Sequence, residues 1–162
     1  MHFGATSWSF TESDYTAIAQ VLQRFLFESS ARCALVVDRS GQLITTAGDR
    51  PTFDVTAFAT LTAADFSAND QLARLIGERD FNTLFHQGER ESMLLADVGR
   101  RVILVVLFDN RTTLGMVRLK MKTTVDELAR LVERMFTRQP ATPAPGNPLL
   151  GDVDDEIDRL FQ

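Results

Sequence analysis

The sequence has very little of what most enzyme active sites need. Its 162 residues include one cysteine, Cys33, and two histidines, His2 and His86. A nucleophile needs a neighbouring base that a third group orients, and the chain offers too few bases for such a site. His86 with Glu89 and Glu91 makes a poor metal site, because strand alternation places both glutamates on the opposite face from the histidine. We therefore predict no catalytic residue, no metal and a protein that is not an enzyme.

Further absences bear on membranes, nucleic acids and nucleotides. Residues 1–5 lack the charged and apolar regions of a secretory signal, and the longest apolar run, Val102–Phe108, is far shorter than the ~20 residues of a membrane span. A single cysteine excludes an intrachain disulfide and fits a reducing compartment. No stripe of basic residues indicates nucleic-acid binding. Gly88, Gly99 and Gly115 do not form a phosphate-binding loop. We expect a cytoplasmic protein without a cofactor.

The composition is that of one soluble globular domain followed by a distinct tail. The chain is 44% hydrophobic and 24% charged, and a domain of this size buries roughly 70% of its unfolded surface. Of the formal charge of -5, residues 151–162 carry -4. We predict a domain over residues 1–138, a proline-rich linker over 139–150 and an acidic amphipathic segment over 151–162.

Apolar periodicity predicts three helices and five strands. The first helix begins at a capping box, Thr11 to Asp14, and Arg39-Ser40-Gly41 joins a hairpin. The remaining predicted elements are strands at 33–38, 42–47, 82–87, 92–97 and 101–108, a second helix from Asp54 to a C′ glycine at Gly77, and a third helix at 112–138. The order αββαβββα predicts an α/β (α+β) fold with a five-stranded antiparallel sheet.

The second helix contains many small residues. These alanines would let another backbone approach closely: Ala57, Ala59, Ala63, Ala64, Ala68 and Ala73. Asp65, Asn69, Asp70 and Gln71 are expected to keep part of the helix in contact with water. The composition favours an interface, with alanine as a good helix former on a half-exposed face as the alternative.

The segment after the linker has the spacing of a helix-in-groove ligand. The linker prolines favour an extended chain, and Val153, Ile157, Leu160 and Phe161 share one side of the predicted helix that follows. Burying three of these anchors yields on the order of 5 to 8 kcal/mol, whereas ordering about ten residues costs roughly 10 to 15. We predict that the segment orders only in a groove. Two alternatives remain: the segment binds weakly to its own domain, or its acidic residues only increase solubility.

Five sequence blocks together resemble the roadblock (dynein light-chain) family. They are Val37-Asp-Arg-Ser-Gly-Gln-Leu-Ile44, Ala59-Thr-Leu-Thr-Ala63, Leu72-Ala-Arg-Leu-Ile-Gly-Glu78, Phe85-His-Gln-Gly88 and Leu107-Phe-Asp-Asn-Arg-Thr-Thr-Leu-Gly-Met-Val-Arg-Leu119. Within the family, the resemblance is strongest to bacterial members that act on a small Ras-like GTPase in cell polarity and gliding motility. It implies a sheet with one helix on one face and two on the other.

The resemblance also implies a homodimer that activates GTP hydrolysis on its partner and is concentrated at a cell pole. The two second helices would lie antiparallel and bind the GTPase through Ala57, Thr60, Leu61, Ala64, Asp65, Ser67, Ala68 and Gln71. The dimer would pair through the edge strand at Leu84, Phe85, His86 and Gln87. The tail would promote nucleotide exchange. No arginine finger is implied, so Arg111 and Arg118 are expected to be scaffold or surface residues.

The chain departs from the family pattern in the second helix. Ser67 and Gln71 stand where the family usually has smaller residues, and Asp65 and Phe66 add bulk. An alternative function follows, in which the protein is an adaptor that links polarity components without stimulating hydrolysis. Residues 155–160 also resemble short peptides that dock on receiver domains, so a receiver domain is a second possible partner of the tail.

Overall fold

The structure is a computed structural model that describes residues 10–137. Its elements are α1 (Glu12–Ser29), β1 (Cys33–Asp38), β2 (Leu43–Gly48), α2 (Val55–Leu75), β3 (Thr83–Gln87), β4 (Ser92–Val98), β5 (Val102–Phe108) and α3 (Leu114–Thr137). The predicted order αββαβββα is confirmed, and the described bounds differ from the predicted ones by one or two residues. The linker and the acidic segment lie outside the described residues.

The five strands form one antiparallel sheet in the order β2-β1-β5-β4-β3. The continuous apolar run of β5 is explained by its central place, because both of its faces are covered. Alternate residues of β1 point to opposite faces, so Val36 belongs to one apolar cluster and Leu35 to the other. β2 and β3 are the sheet edges.

Helices α1 and α3 cover one face of the sheet and form the larger part of the core. The capping box that starts α1 is present: the Asp14 amide donates to the Thr11 hydroxyl, and the Thr11 amide donates to the Asp14 carboxylate at 2.9 Å. Phe25 of α1 and Leu128 of α3 are both 1% exposed. Fully burying such a side chain stabilises the fold by about 1.5 to 3 kcal/mol.

Helix α2 covers the opposite face alone. Asp54 caps its start by accepting a hydrogen bond from the Ala57 amide at 3.1 Å. Helix α2 ends in a Schellman motif, in which the Gly77 amide donates to the Arg74 carbonyl and the Glu78 amide donates to the Ala73 carbonyl. Gly77 has φ +87°, which confirms the predicted C′ glycine. The one-and-two arrangement of helices implied by the resemblance is thus present.

The β1–β2 turn packs against the buried side of α2. The Asp38 carboxylate accepts hydrogen bonds from the Ser40 amide, the Ser40 hydroxyl and the Gln42 amide at 2.7 to 3.0 Å. Gly41 completes the turn with φ +95°. A Cβ at this position would lie 3.1 Å from the Cα of Thr60, so the turn and the helix backbone are in close contact. The glycine therefore serves both the turn and the seating of α2.

Candidate interface on helix α2 and strand β3

One flank of α2 faces the free edge of the sheet. The side chain of Asp65 lies 2.6 Å from Nε2 of His86, which is on the edge strand β3. Residues three, four and seven positions away on a helix share a face, so Leu61 and Leu72 lie on the same flank as Asp65. This flank and the edge of β3 therefore form one continuous surface.

The flank carries a regular row of side chains at alternating spacings of three and four residues. We call this row the α2 seam: Phe58, Leu61, Asp65, Ala68, Leu72 and Leu75. Three of its leucines are largely exposed, with Leu61 at 69%, Leu72 at 57% and Leu75 at 82%. The spacing is that of the a and d positions through which two helices pack side by side. Asp65 is the one charged residue in the row.

A second row with the same spacing lies beside the seam and faces solvent. We call it the α2 outer row: Ala57, Thr60, Ala64, Ser67 and Gln71, all of which are exposed. The sequence-predicted GTPase contacts therefore divide between two rows. Five belong to the outer row, and Leu61, Asp65 and Ala68 belong to the seam. Small side chains dominate the outer row, so it presents the helix backbone to any partner at close range.

The other flank of α2 is fastened to the sheet by Arg39. Its guanidinium from the β1–β2 turn donates to Asp70 of α2 at 2.9 Å and to Asp97 of β4, and it lies over the Phe66 ring at 4.9 Å. These contacts fix how α2 is turned about its axis. Sequence reasoning missed this cluster, because nothing in the local sequence signals that Arg39, Asp70 and Asp97 meet.

The edge strand β3 pairs with β4 on one side, and within residues 10–137 no strand pairs with its other side. Leu84 and His86 point toward the α2 face. Phe85 points to the α1 and α3 face and stacks on Phe108 with ring centroids 6.2 Å apart. Gln87 is exposed. The four predicted edge residues thus lie on one edge strand, and two of them, Leu84 and His86, are on the same face of the sheet as the seam.

The structure corrects two expectations about α2. Phe66 does not add bulk to the outer surface, because its side chain is 0% exposed and packs against the sheet. Asn69 does not face water either, since it is 7% exposed. Both lie on the same side of the helix as the buried Ala59, Ala63 and Ala73, where α2 rests on the strands.

The described residues contain little that would support chemistry. Among residues 10–137, no group of three or more His, Cys, Asp or Glu side chains is placed to hold a metal ion. Burial raises the pKa of the Cys33 thiol, which favours its unreactive protonated form. A hydrogen bond from Arg111 lowers the pKa of Asp109, and Arg111 itself is exposed at the surface. None of the helices in this range is long and apolar enough to cross a membrane.

Residues 17–108 match the Roadblock/LC7 domain family. The chain therefore belongs to this family, as the resemblance of its sequence blocks predicted. Within the family the chain is similar to MglB, a bacterial member. MglB of Myxococcus xanthus is 44% identical, with a TM-score of 0.71, and the match covers 74% of this chain and 98% of that chain.

Two further solved structures support the same similarity. The gliding protein MglB from Thermus thermophilus is 33% identical with a TM-score of 0.74, and the match covers 80% of this chain and 98% of that one. A structure described as MglB with a tetrameric arrangement is also 33% identical, with a TM-score of 0.75 and coverage of 81% and 98%. No curated protein sequence matches the chain significantly.

Proposed function

We propose that this protein is a homodimeric regulator of a small Ras-like GTPase, which it stimulates to hydrolyse GTP in the control of cell polarity or motility. The observation that carries the proposal is the pair of rows on α2, which offers one surface for a second copy and another for a partner. The similarity to MglB supplies the class of partner. The protein would be cytoplasmic, concentrated at a cell pole, and not itself an enzyme.

The α2 seam is complementary to itself when two copies run antiparallel. A two-fold axis that passes between Asp65 and Ala68 places Leu61 of one protomer opposite Leu72 of its partner. The same axis places Phe58 opposite Leu75. A two-fold interface requires this kind of reciprocity. The edge of β3 would meet its counterpart across the same axis, which covers an otherwise open strand edge.

The outer rows of the two protomers would then form the surface that binds the GTPase. Hydrolysis of GTP needs an oriented water molecule and positive charge near the transferred phosphate. The outer row contains no charged residue, so it cannot supply the positive charge itself. Stimulation would instead come from repositioning groups that the GTPase already has.

The acidic segment would act on the GTPase from outside this surface and promote nucleotide exchange. Its anchors, Val153, Ile157, Leu160 and Phe161, lie outside the described residues. Truncation after Gln139 should leave stimulation of hydrolysis intact and abolish any effect on exchange. A change of Ile157, Leu160 and Phe161 to Ala should give the same result. Equal exchange rates with the intact, truncated and substituted proteins would eliminate this role.

Two arginine substitutions separate the roles of the rows. Ala64→Arg in the outer row should leave a dimer that no longer binds or stimulates the GTPase, whereas Ala68→Arg in the seam should give a folded monomer. The measurements are molar mass by light scattering and multiple-turnover hydrolysis with the cognate GTPase. Gln23→Arg, at an exposed position of α1 on the far side of the sheet, is the control. A monomeric wild type, or full stimulation by both variants, would show the proposal to be wrong.

The adaptor alternative is favoured by one observation. Ser67 and Gln71 are both exposed in the outer row, where the family resemblance implies smaller residues. An adaptor would bind the GTPase without changing the hydrolysis rate, or would bind a receiver domain through its tail. In the hydrolysis assay an activator raises the rate of GTP hydrolysis, whereas an adaptor leaves the rate unchanged. If the double variant Ser67→Ala/Gln71→Ala gained stimulation that the wild type lacks, the adaptor function would be correct.

A further inference from the structure

A groove runs between α1 and α3 on the surface that faces away from the sheet. Two adjoining cavities of about 900 and 350 Å³ make up this α1/α3 groove. Its floor is apolar, with Ala17 and Val21 from α1 and Leu131 and Met135 from α3. Pockets of roughly 300 to 1,000 Å³ are large enough to bury several side chains. The groove is thus wide enough for one side of a short helix.

The groove is lined by three arginines and three carboxylates, whose formal charges balance. Arg24 of α1 pairs with Glu127 of α3 across one end. Arg130 and Arg134, one helical turn apart on α3, have no ion pair with any residue in the described part of the chain. The other acidic residues that line the groove are Glu133 and Asp14, and Asp14 is engaged in the cap of α1. An acidic side chain of a ligand could therefore pair with Arg130 and Arg134 without displacing an existing ion pair.

We propose that residues 151–162 of this same chain dock in the α1/α3 groove as an amphipathic helix. The last described residue of α3, Thr137, lines both cavities, so the chain leaves α3 at the groove itself. Residues 138–150 connect this point to the segment. An extended proline-rich chain advances about 3.1 Å per residue, so the connection is far longer than a return to the groove requires.

The segment matches the groove in both apolar and charged positions. Ile157, Leu160 and Phe161 would cover the apolar floor. Asp154 and Asp158 are four residues apart and border the apolar side, and Arg130 and Arg134 have the same spacing on α3. Residues 1–9 contain no acidic residue to complement the two arginines. Charge therefore favours the C-terminal segment as the occupant.

Tethering makes the contact effective even where the free segment would bind weakly. Because the segment is tethered to α3, its effective concentration at the groove exceeds that of a free peptide, so a weaker intrinsic affinity is enough for docking. Docking would hide the same apolar anchors that the proposed exchange function uses. The tail would then stay docked in the groove until a partner competes for binding to the tail.

The test uses the full chain alone, without any GTPase, so its outcome is independent of the proposed function. A nitroxide is attached to Gln162→Cys, while the buried Cys33, at 3% exposure, remains unlabelled. Paramagnetic broadening of backbone amide signals should be confined to the parts of α1 and α3 that line the groove. Uniform broadening, or broadening centred on α2 and β3, would overturn the proposal.

Charge reversal provides the specific control. Arg130→Glu/Arg134→Glu should remove the broadening, and adding Asp154→Arg/Asp158→Arg should restore it. Arg118→Glu/Lys122→Glu makes the same change at the same spacing on α3 outside the groove, and it should have no effect. Unchanged thermal unfolding shows that the variants fold.

Amide shifts in unlabelled protein give an independent readout. Truncation after Gln139 should shift the signals of the groove residues. If these signals respond to deletion of residues 2–9 and not to the truncation, or if broadening survives in the Arg130→Glu/Arg134→Glu protein, the tail is not the occupant.

Discussion

The helices on the two faces of the sheet use their apolar residues differently. α1 and α3 bury large side chains such as Phe25 and Leu128 against the strands. α2 buries one large side chain, Phe66, and otherwise mostly alanines, while its leucines face solvent. Hydrophobic burial scales with apolar area, so α2 gains less from the sheet per residue than the other two helices do. The apolar area that it leaves exposed is available to a second copy of the chain.

The largest effect should come from a matched pair of leucine truncations on the two faces. Leu128→Ala removes a fully buried side chain and should lower the free energy of unfolding by about 2 to 5 kcal/mol. Leu75→Ala changes an exposed position and should shift it by no more than about 0.5 kcal/mol in the monomer. Urea unfolding at low protein concentration measures both values. Similar losses for the two variants would contradict the difference between the faces.

The exposed leucines should matter for assembly instead. In the proposed dimer, Leu61→Ala should weaken association by about 2 to 4 kcal/mol, because a two-fold axis would make each substitution count twice. The monomer should remain as stable as the wild type. Sedimentation equilibrium gives the dissociation constant. Leu119→Ala, a 64% exposed leucine on α3, is the matched control and should leave the constant unchanged.

The Arg39 cluster should contribute a smaller amount to stability on the α2 face. Arg39→Gln removes two half-buried ion pairs and the contact with the Phe66 ring, and it should cost about 1 to 2 kcal/mol. Arg100→Gln removes a 3.6 Å pair with Asp80 that is largely exposed, so it should cost less than about 0.5 kcal/mol. Thermal unfolding compares the two. Equal costs would mean that Arg39 does not fasten α2.

The smallest effect concerns the exposed pair at the turn from β5 into α3. Arg111 lowers the pKa of Asp109, so the pair favours the folded state above the unfolded pKa and loses this effect as the pH falls through the folded value. Arg111→Gln should return the pKa of Asp109 toward its ordinary value with no detectable change in melting temperature. A carboxyl NMR titration follows the shift. A pKa that stays low would mean that the hydrogen bond from the Arg111 backbone amide to the Asp109 carboxylate holds it there.

Most of the fold was predictable because its signals are local. The capping box of α1, the C′ glycine of α2 and the switch from continuous to helical apolar spacing after Phe108 each lie within a few residues. Strand and helix bounds followed from these signals to within one or two residues. The order of elements with short connections then left an antiparallel sheet as the expected arrangement.

The orientation of α2 was not predictable in the same way. Apolar residues occur on both of its sides, so periodicity alone does not say whether Phe66 or Leu61 faces the strands. The choice depends on Arg39, Asp70 and His86, which come from separate elements and meet only in the fold. The eight predicted GTPase-contact residues therefore do lie on one helix. Their division into a seam and an outer row depends on the orientation of that helix in the fold.

Gly41 shows how a residue can govern binding without belonging to the binding surface. It is buried beneath α2, and a Cβ there would lie 3.1 Å from the Cα of Thr60, so the helix backbone would have to give by a few tenths of an ångström. Replacement by Ala would strain the turn at φ +95° and displace α2 slightly at Thr60, which belongs to the outer row. A mutational scan that scores partner binding should therefore show intolerance at Gly41, although Gly41 itself would make no contact with the partner.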